Sequence, residues 1–596
     1  MMGQSPGQKN LVEQPAAARV GIKSSKKQAF IKLEGSAKET LEQGRNRLVV
    51  AGVLFAFCFV VLAGRLVGLA ISGAGSEVDV EAVAPQKPAA VAVLDKRAPI
   101  YDRGGNLLAV TLEAVSLFAD PRKILDAEDA AEKLSRVFPD LEPEGLKAKL
   151  SLRRNFVWVK RHMTPQQQKH VNDLGIPGLF FRSEERRVYP MGNLAAHVVG
   201  YTDIDGNGIA GIEKYFNSRL SGKNPKDAGP VHLSVDVRVQ YALRDELSRF
   251  MSIFRGIGAS GMVLDVKTGE VLGMVSLPDF DPNRPGDFPR DNKFNKVALG
   301  VYEMGSTFKA FTTAMALDLK TVSLRDGYDA TKPIRIAGFR IRDDHGKKRW
   351  LSVPEIFMYS SNIGTAKMAE DVGPKRQKAF LQKIGLLDRP VIELPEIGAP
   401  ILPPRWNTLE TMTISYGHGL SVSPLQLSSA MSAMVNGGIF RNPTLIAQEG
   451  TAEVEGRRVI RAKTSDAVRK LMRLVVEKGT GSKAEAKGYL VGGKTGTAEK
   501  AVNGRYKRDA LVTSFASAFP MNDPRYVVLA MLDEPKGNES TYGFRSAGWT
   551  TAPIVSRLVS RIAPILGVMP VDEEDPRIQK AMHMPTYSRE KNNETF

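Results

Sequence analysis

The sequence predicts an α+β fold for the larger part of this chain, an antiparallel sheet flanked by helices. Three observations carry the prediction. Strand patterns stand at both ends of the region that begins near Val231: residues 261–265 and 270–276 around the turn Lys267-Thr268-Gly269, then 511–519 and 526–532 around Asn522-Asp523-Pro524. Helical patterns fill the interval, beginning with Leu243, Leu247 and Phe250 within residues 240–250. After the last strand pattern, Ile554, Leu558 and Ile562 recur every fourth residue in a closing amphipathic helix. A sheet that pairs its first and last segments accounts for this order.

The elements in chain order divide the 596 residues into several units, as the length alone requires. Residues 1–47 are polar, aperiodic and basic, with nine Lys or Arg against four Glu, and read as a disordered tail. Residues 48–64 contain no charge, which is the lower limit for a membrane-spanning helix. Arg65 can snorkel to the headgroups, so the expected span is 48–71. Glu77, Asp79 and Glu81 follow it. The positive-inside rule then puts the N-terminus in the cytoplasm and the remainder outside. A basic region of 47 residues is too long for a signal peptide, so an uncleaved single-pass anchor is the better reading. Cys58, the one cysteine, lies inside the span, so the exported part relies on burial and not on disulfides. The stretch 82–92 reads as a linker rich in Ala, Pro and Val. Residues 72–230 hold short strand patterns (107–111, 116–119, 156–160) and a helical run at 127–138, without a catalytic cluster. Residues 231–570 form the catalytic domain, and 571–596 read as a flexible polar tail.

Composition excludes some functions. The formal charge of +18 invites an anionic partner. No zinc-ligand spacing and no Arg-rich helix with interleaved aromatics accompanies it, so nucleic acid is set aside. Anionic lipid or an anionic polymer fits the charge as well.

Three short motifs carry the chemistry. Ser306-Thr307-Phe308-Lys309 opens a run with Phe308, Phe311 and Met315 on one side; Ser360-Ser361-Asn362 precedes a helical run at 363–370; Lys494-Thr495-Gly496-Thr497 follows Gly492-Gly493. The first motif alone is weak, since Ser24 to Lys27 and Ser588 to Lys591 match it too. Its i, i+3 spacing puts the Lys309 amine beside the Ser306 hydroxyl on one helix face. A serine becomes a nucleophile when a base takes its proton. A lysine serves only if its pKa falls from about 10.4 towards neutrality, through burial or a second cation, which Lys494 can supply. The Ser306 amide and one from the Lys494 to Thr497 strand can form an oxyanion hole. Ser360 can relay a proton to the leaving amine, and Asn362 can hold a substrate amide. Lys494, Thr495 and Thr497 suit a terminal carboxylate, and small Gly496 suits a substrate laid along the strand edge. The bland alternatives are an N-cap for Ser306 or Asn362 and a turn for Lys494 to Thr497. His418, in Tyr416-Gly417-His418-Gly419, reads as structural or substrate-adjacent. The set calls for neither metal nor cofactor, and which lysine is the working base stays open.

These motifs resemble those of the penicillin-binding proteins. So do Tyr302-Glu303-Met304-Gly305 before the serine and Ser423-Pro424-Leu425-Gln426-Leu427 after the His418 segment. Upstream, Arg97-Ala98-Pro99-Ile100-Tyr101-Asp102-Arg103, Arg187-Val188-Tyr189-Pro190 and Gly211-Ile212-Glu213 are similar to the family's pedestal motifs. Met304 and Ala98 depart from the usual Pro and Gly there. The resemblance, closest to class B enzymes of the FtsI type, implies a penicillin-binding/serine β-lactamase-like transpeptidase domain behind a non-catalytic, dimerisation-like pedestal. It implies a septal D,D-transpeptidase of the bacterial inner membrane that acylates Ser306 with a stem peptide ending in D-Ala-D-Ala. It also implies β-lactams as covalent inhibitors, and an FtsW-type glycan polymerase and other divisome proteins as partners. An elongation-type transpeptidase, a carboxypeptidase or β-lactamase-like hydrolase, and a vestigial sensor or scaffold are the alternatives.

Overall fold

The computed structural model describes residues 49, 52–65, 96–223, 228–448, 450, 454–502 and 505–587. The chain divides into two compact units, residues 1–91 and 92–596. In the first, residues 52–65 are helical and carry exposed apolar side chains, among them Phe55, Phe57 and Phe59. Among the described residues no helix is long and apolar enough to cross a membrane. Of the expected span of 48–71, residues 48, 50, 51 and 66–71 lie outside the described residues, as does the basic tail.

The second unit opens with the pedestal. Its long strand β1 (Leu107–Ala119) takes the place of the two short ones expected, and pairs antiparallel with β2 (Val157–Met163) and β3 (Leu179–Val188). Apolar residues from one face of this sheet, including Leu117 and Val159, pack with Leu134, Leu146 and Val171 from three short helices. The pedestal motifs meet in a buried ion network. Glu213, fully buried, accepts from Arg97 Nε at 2.6 Å and from Arg187 Nε at 2.7 Å. Arg187 also donates to the Ala98 carbonyl at 2.9 Å. Two buried guanidinium groups around one carboxylate are tolerated because each charge is paired and hydrogen-bonded. Asp102 carries this order into the next domain. Its carboxylate closes the 102–106 turn and accepts from the Val237 amide at the start of the following helix.

That helix, α1 (Val237–Ile253), packs on a five-stranded antiparallel sheet. The strands are β4 (Gly258–Asp265), β5 (Val271–Leu277), β6 (Gly492–Val502), β7 (Arg505–Phe519) and β8 (Tyr526–Asp533), in the spatial order β6-β7-β8-β4-β5. First and last strands are joined as expected, with Val528 opposite Val263. Alternation assigns each residue a face. On β8, Val527, Leu529 and Met531 enter the core beneath the helical lobe, and Val528, Ala530 and Leu532 enter a second core with α1 and the closing helix. Strand β6 forms one edge, bonded only to β7 among the described residues, so its outer edge is open beside the helical lobe. That lobe holds α2 (Lys309–Asp318), α3 (Val353–Met358), α4 (Asn362–Val372) and α5 (Ala462–Lys478), of which α5 packs on β6; α6 (Ala552–Ile565) closes the opposite face.

The C-terminal segment corrects the expectation of a flexible tail. Residues 571–587 are packed, with a helix α7 (Pro576–Met582) and with Met582 and Met584 buried in the main core. Polar composition concealed these anchors, which are single side chains and not a periodic face. Residues 588–596 lie outside the described residues.

Candidate active site

Ser306 sits in a 3-10 turn, Gly305–Phe308, that runs directly into α2. The cap position of this turn is Met304, without a side-chain cap bond, so Ser306 does not serve as an N-cap. Its turn is pressed between two backbones. Gly305 has a φ of +53° and would place a Cβ 2.5 Å from the Thr497 carbonyl oxygen, and its amide donates to the Gly417 carbonyl at 3.2 Å. No other residue type fits that position.

Lys309, one turn on, is 1% exposed. Its Nζ donates to the Ser360 carbonyl at 2.6 Å, to Ser360 Oγ at 3.0 Å and to Asn362 Oδ1 at 2.6 Å. Burial pulls its pKa down to about 7, against the opposing pull of Asp343 and Asp344. Lys494, fully buried on β6, reaches the same hydroxyl, with Nζ 2.9 Å from Ser360 Oγ and above the Phe357 ring. Its pKa is lowered well below the usual lysine range, first by burial and then by the Lys309 charge. Burial thus disfavours a charge on both amines, and a charge on Lys309 disfavours one on Lys494 further. One serine hydroxyl stands between two amines, and Ser360 holds it there with a left-handed φ of 59°. Strain of this kind collects where geometry is over-determined by function.

The structure thus joins Lys309, Ser360, Asn362 and Lys494 by hydrogen bonds, with Ser306 in the turn that leads into the helix of Lys309. Asn362 opens α4 but does not cap it; Ser361 does, through the Gly364 amide. The Asn362 amide group is already engaged, its oxygen by Lys309 and its nitrogen by the Arg342 carbonyl at 2.9 Å. Thr495 Oγ1 lies 2.8 Å from Thr480 Oγ1, and Thr497 Oγ1 accepts from the Ala547 amide at 3.2 Å. Gly496 also has a packing use. A Cβ there would lie 2.5 Å from the Met304 carbonyl oxygen and 2.8 Å from Thr307 Cγ2, so its missing side chain admits the turn that carries Ser306.

An edge strand, a serine on a helix start and two buried lysines sharing a second serine form a site for serine acyl transfer. Two family models match the chain: the penicillin binding protein transpeptidase domain over residues 259–556 and the penicillin-binding protein dimerisation domain over residues 93–231. The chain belongs to the penicillin-binding protein transpeptidase family. Among its relatives is a probable peptidoglycan D,D-transpeptidase FtsI of Caulobacter vibrioides, 41% identical over 88% of this chain and 89% of that one. The probable peptidoglycan D,D-transpeptidase PenA of Neisseria meningitidis is 33% identical over 80% of this chain and 85% of its own length. A crystal structure of penicillin-binding protein 3 from Mycobacterium tuberculosis, in complex with aztreonam, superposes with a TM-score of 0.62 at 27% identity, covering 80% of this chain and 97% of that one.

Sequence reasoning missed two groups of this penicillin-binding protein. Asp343 accepts from Ser361 Oγ at 2.8 Å and from the Ile363 amide at 2.9 Å, fastening the Ser360 segment to the α4 start. Its one signal was an acidic pair, Asp343-Asp344, in a polar turn. Glu303, three residues before Ser306, accepts from the Gly419 amide at 2.8 Å and Tyr506 Oη at 2.9 Å, and its other oxygen lies 3.1 Å from His418 Nδ1. His418 is therefore beside the nucleophile's approach and bonded to a carboxylate, in keeping with a structural role. No local spacing could have joined residues 303, 418 and 506.

Proposed function

We propose that the chain is a peptidoglycan D,D-transpeptidase that cross-links stem peptides during septum formation, with Ser306 as the nucleophile. The observation that carries the reading is the pair of buried lysine amines on Ser360 Oγ, one turn from Ser306 and against an open strand edge. The names of the FtsI and PenA relatives, both probable peptidoglycan D,D-transpeptidases, support the substrate and the reaction. Ser306 Oγ attacks the carbonyl carbon between the two D-Ala residues while Lys309, in its neutral form, takes the hydroxyl proton. The amide N–H groups of Ser306 and Thr497 face the oxyanion, which the contact of Gly305 with the Thr497 backbone favours. As the tetrahedral intermediate collapses, the C–N bond breaks and the terminal D-Ala leaves as an amine, its proton delivered from Lys309 through Ser360 Oγ. A second stem peptide's amine then attacks the ester carbonyl, and Ser306 recovers its proton. Lys494, Thr495 and Thr497 receive the terminal carboxylate, Asn362 orients the substrate amide, and β-lactams acylate Ser306 by the same attack.

Residues 48–71 anchor this enzyme in the inner membrane with a cytoplasmic N-terminus, a reading supported by the uncharged run and the nine basic residues before it. Residues 72–230 form the pedestal and the transpeptidase domain begins at 231. An FtsW-type glycan polymerase and further divisome proteins are its partners. Purified Ser306→Ala is expected to lose labelling by a fluorescent penicillin at unchanged melting temperature. Undiminished labelling would overturn the assignment.

A further inference from the structure

We infer that the C-terminal segment 571–587 is a strap that holds the two walls of the acylation site in register, with Glu573 as its positioning residue. This rests on the reading of Ser306, Lys309, Ser360 and Lys494 as the acylating set. Each wall brings one group to the centre. The helix α3 leads through Tyr359 to Ser360. The helix α5 leads through the loop 479–491 to β6 and Lys494. The two helices have no covalent link shorter than the chain between Met358 and Ala462, yet Lys494 Nζ and Lys309 Nζ must both stay within hydrogen-bond reach of one hydroxyl.

The strap touches both walls. At its start, the Val571 amide donates to the Gly488 carbonyl at 2.8 Å, and the Gly488 amide returns a bond to Glu573 Oε1 at 2.5 Å. Glu573 Oε2 also meets Arg473 Nη2 at 3.3 Å. Arg473 is a buried residue of α5 that donates to the Val491 carbonyl at 2.9 Å, three residues before Lys494, and also pairs with Glu477 and Glu485. Glu573 is thus joined to the strand of Lys494 through one guanidinium. At its other end the strap buries Met582 and Met584 in the same core that holds Val353, Ile356 and Phe357 of α3 and Leu471 and Met472 of α5. The Tyr587 amide then donates to Ser352 Oγ at 3.4 Å. Ser352 is the fully buried cap of α3, whose hydroxyl also bonds Glu355. The strap therefore spans from the approach to Lys494 to the approach to Ser360.

Its loss lets the walls part by a fraction of an ångström, which has two separable effects. Misplacement of reacting groups on the order of 1 Å costs about 100-fold in rate. Water admitted between the walls also relieves the burial that holds Lys309 down, so its pKa returns upward. A merely structural tail would lower stability without moving that titration.

The test uses the full chain in detergent micelles, with Glu573→Gln and Met584→Ala as single changes and truncation after Pro570 as the severe one. The second-order rate of acylation by a fluorescent penicillin is measured from pH 5.5 to 9, beside a thermal melt. Expected is a tenfold or greater fall for Glu573→Gln at pH 7, with the acidic limb moved to higher pH and the melt still cooperative. A lowered melting temperature with rate and limb unchanged in both single variants overturns the strap. If the truncated chain fails to fold, the single variants decide. Ser306→Ala run alongside separates the two readings: labelling of that variant sinks the acylating set, whereas its silence with unmoved strap variants sinks the strap alone.

Discussion

On the proposed path, in which Lys309 must lose a proton before it can take one from Ser306, acylation of this chain switches off below neutrality. The perturbation is pH itself. Burial brings the amine from 10.5 to about 7, and at about 1.4 kcal/mol per unit the shift is worth on the order of 5 kcal/mol. An unshifted lysine would be neutral in about 0.03% of molecules at pH 7, whereas this one is neutral in about half. Between pH 8 and pH 5.5 the neutral fraction falls about 30-fold, and the second-order rate with a fluorescent penicillin should fall with it. Stability changes with pH in the upper part of this window and is followed separately. The folded-state pKa of Lys309 lies below its unfolded value, so the folded chain binds fewer protons between about pH 7 and 10.5, and this group makes stability rise with pH there. Below about pH 6 both states are protonated at this site, and its contribution is constant. A thermal melt at each pH verifies the separation. A rate that stays flat from pH 8 to 5.5, or a limb near 10, refutes the proton path through Lys309.

Two further outcomes follow from single side chains. Asp343→Asn keeps an oxygen for the Ile363 amide and presents an N–H to Ser361 Oγ in place of an acceptor, and it removes a charge that favours the Lys309 ammonium, so the acidic limb should move to lower pH in the same assay. An unmoved limb would show that Asp343 acts on position alone. Glu213→Gln leaves Arg97 and Arg187 buried against a neutral partner, which should cost about 3–5 kcal/mol, read as a lower melting temperature. Penicillin labelling below the melt should be retained, and an unchanged melt would refute the network's role.

Much of this architecture was legible from local pattern. Residues 526–532 alternate between two apolar cores, and the turn at 267–269 has to join β4 to β5, so the sheet could be read without coordinates. What was not legible depends on distance in sequence. Ser361 and Asp343 are joined across a short strand and α3, Glu303 collects residues from 419 and 506, and Glu573 reaches Gly488. Each of these carboxylates looks in sequence like any solvated acid. The expected tail failed for a related reason. A segment held by Met582, Met584 and one carboxylate has no period to detect.

The glycine of Lys494-Thr495-Gly496-Thr497 has a packing role besides the expected one beside substrate. A small residue beside a substrate channel suggests room for substrate; here the place of a Cβ is also taken by the Met304 carbonyl and Thr307. Gly305 in turn is pressed on the Thr497 carbonyl, and a Cβ on Gly417 would lie 2.0 Å from the Gly305 oxygen. Three backbones from distant parts of the sequence therefore meet without side chains between them, and Ser306 is the first residue after the junction. Side chains at these positions would push the nucleophile's turn away from β6 by more than a van der Waals contact can absorb. The Ser306 and Thr497 amides would part, and with them the pocket for the oxyanion. The three glycines thus set the distance between the Ser306 turn and β6, and the proposed acylation, with its two lysines, takes place inside the frame they define.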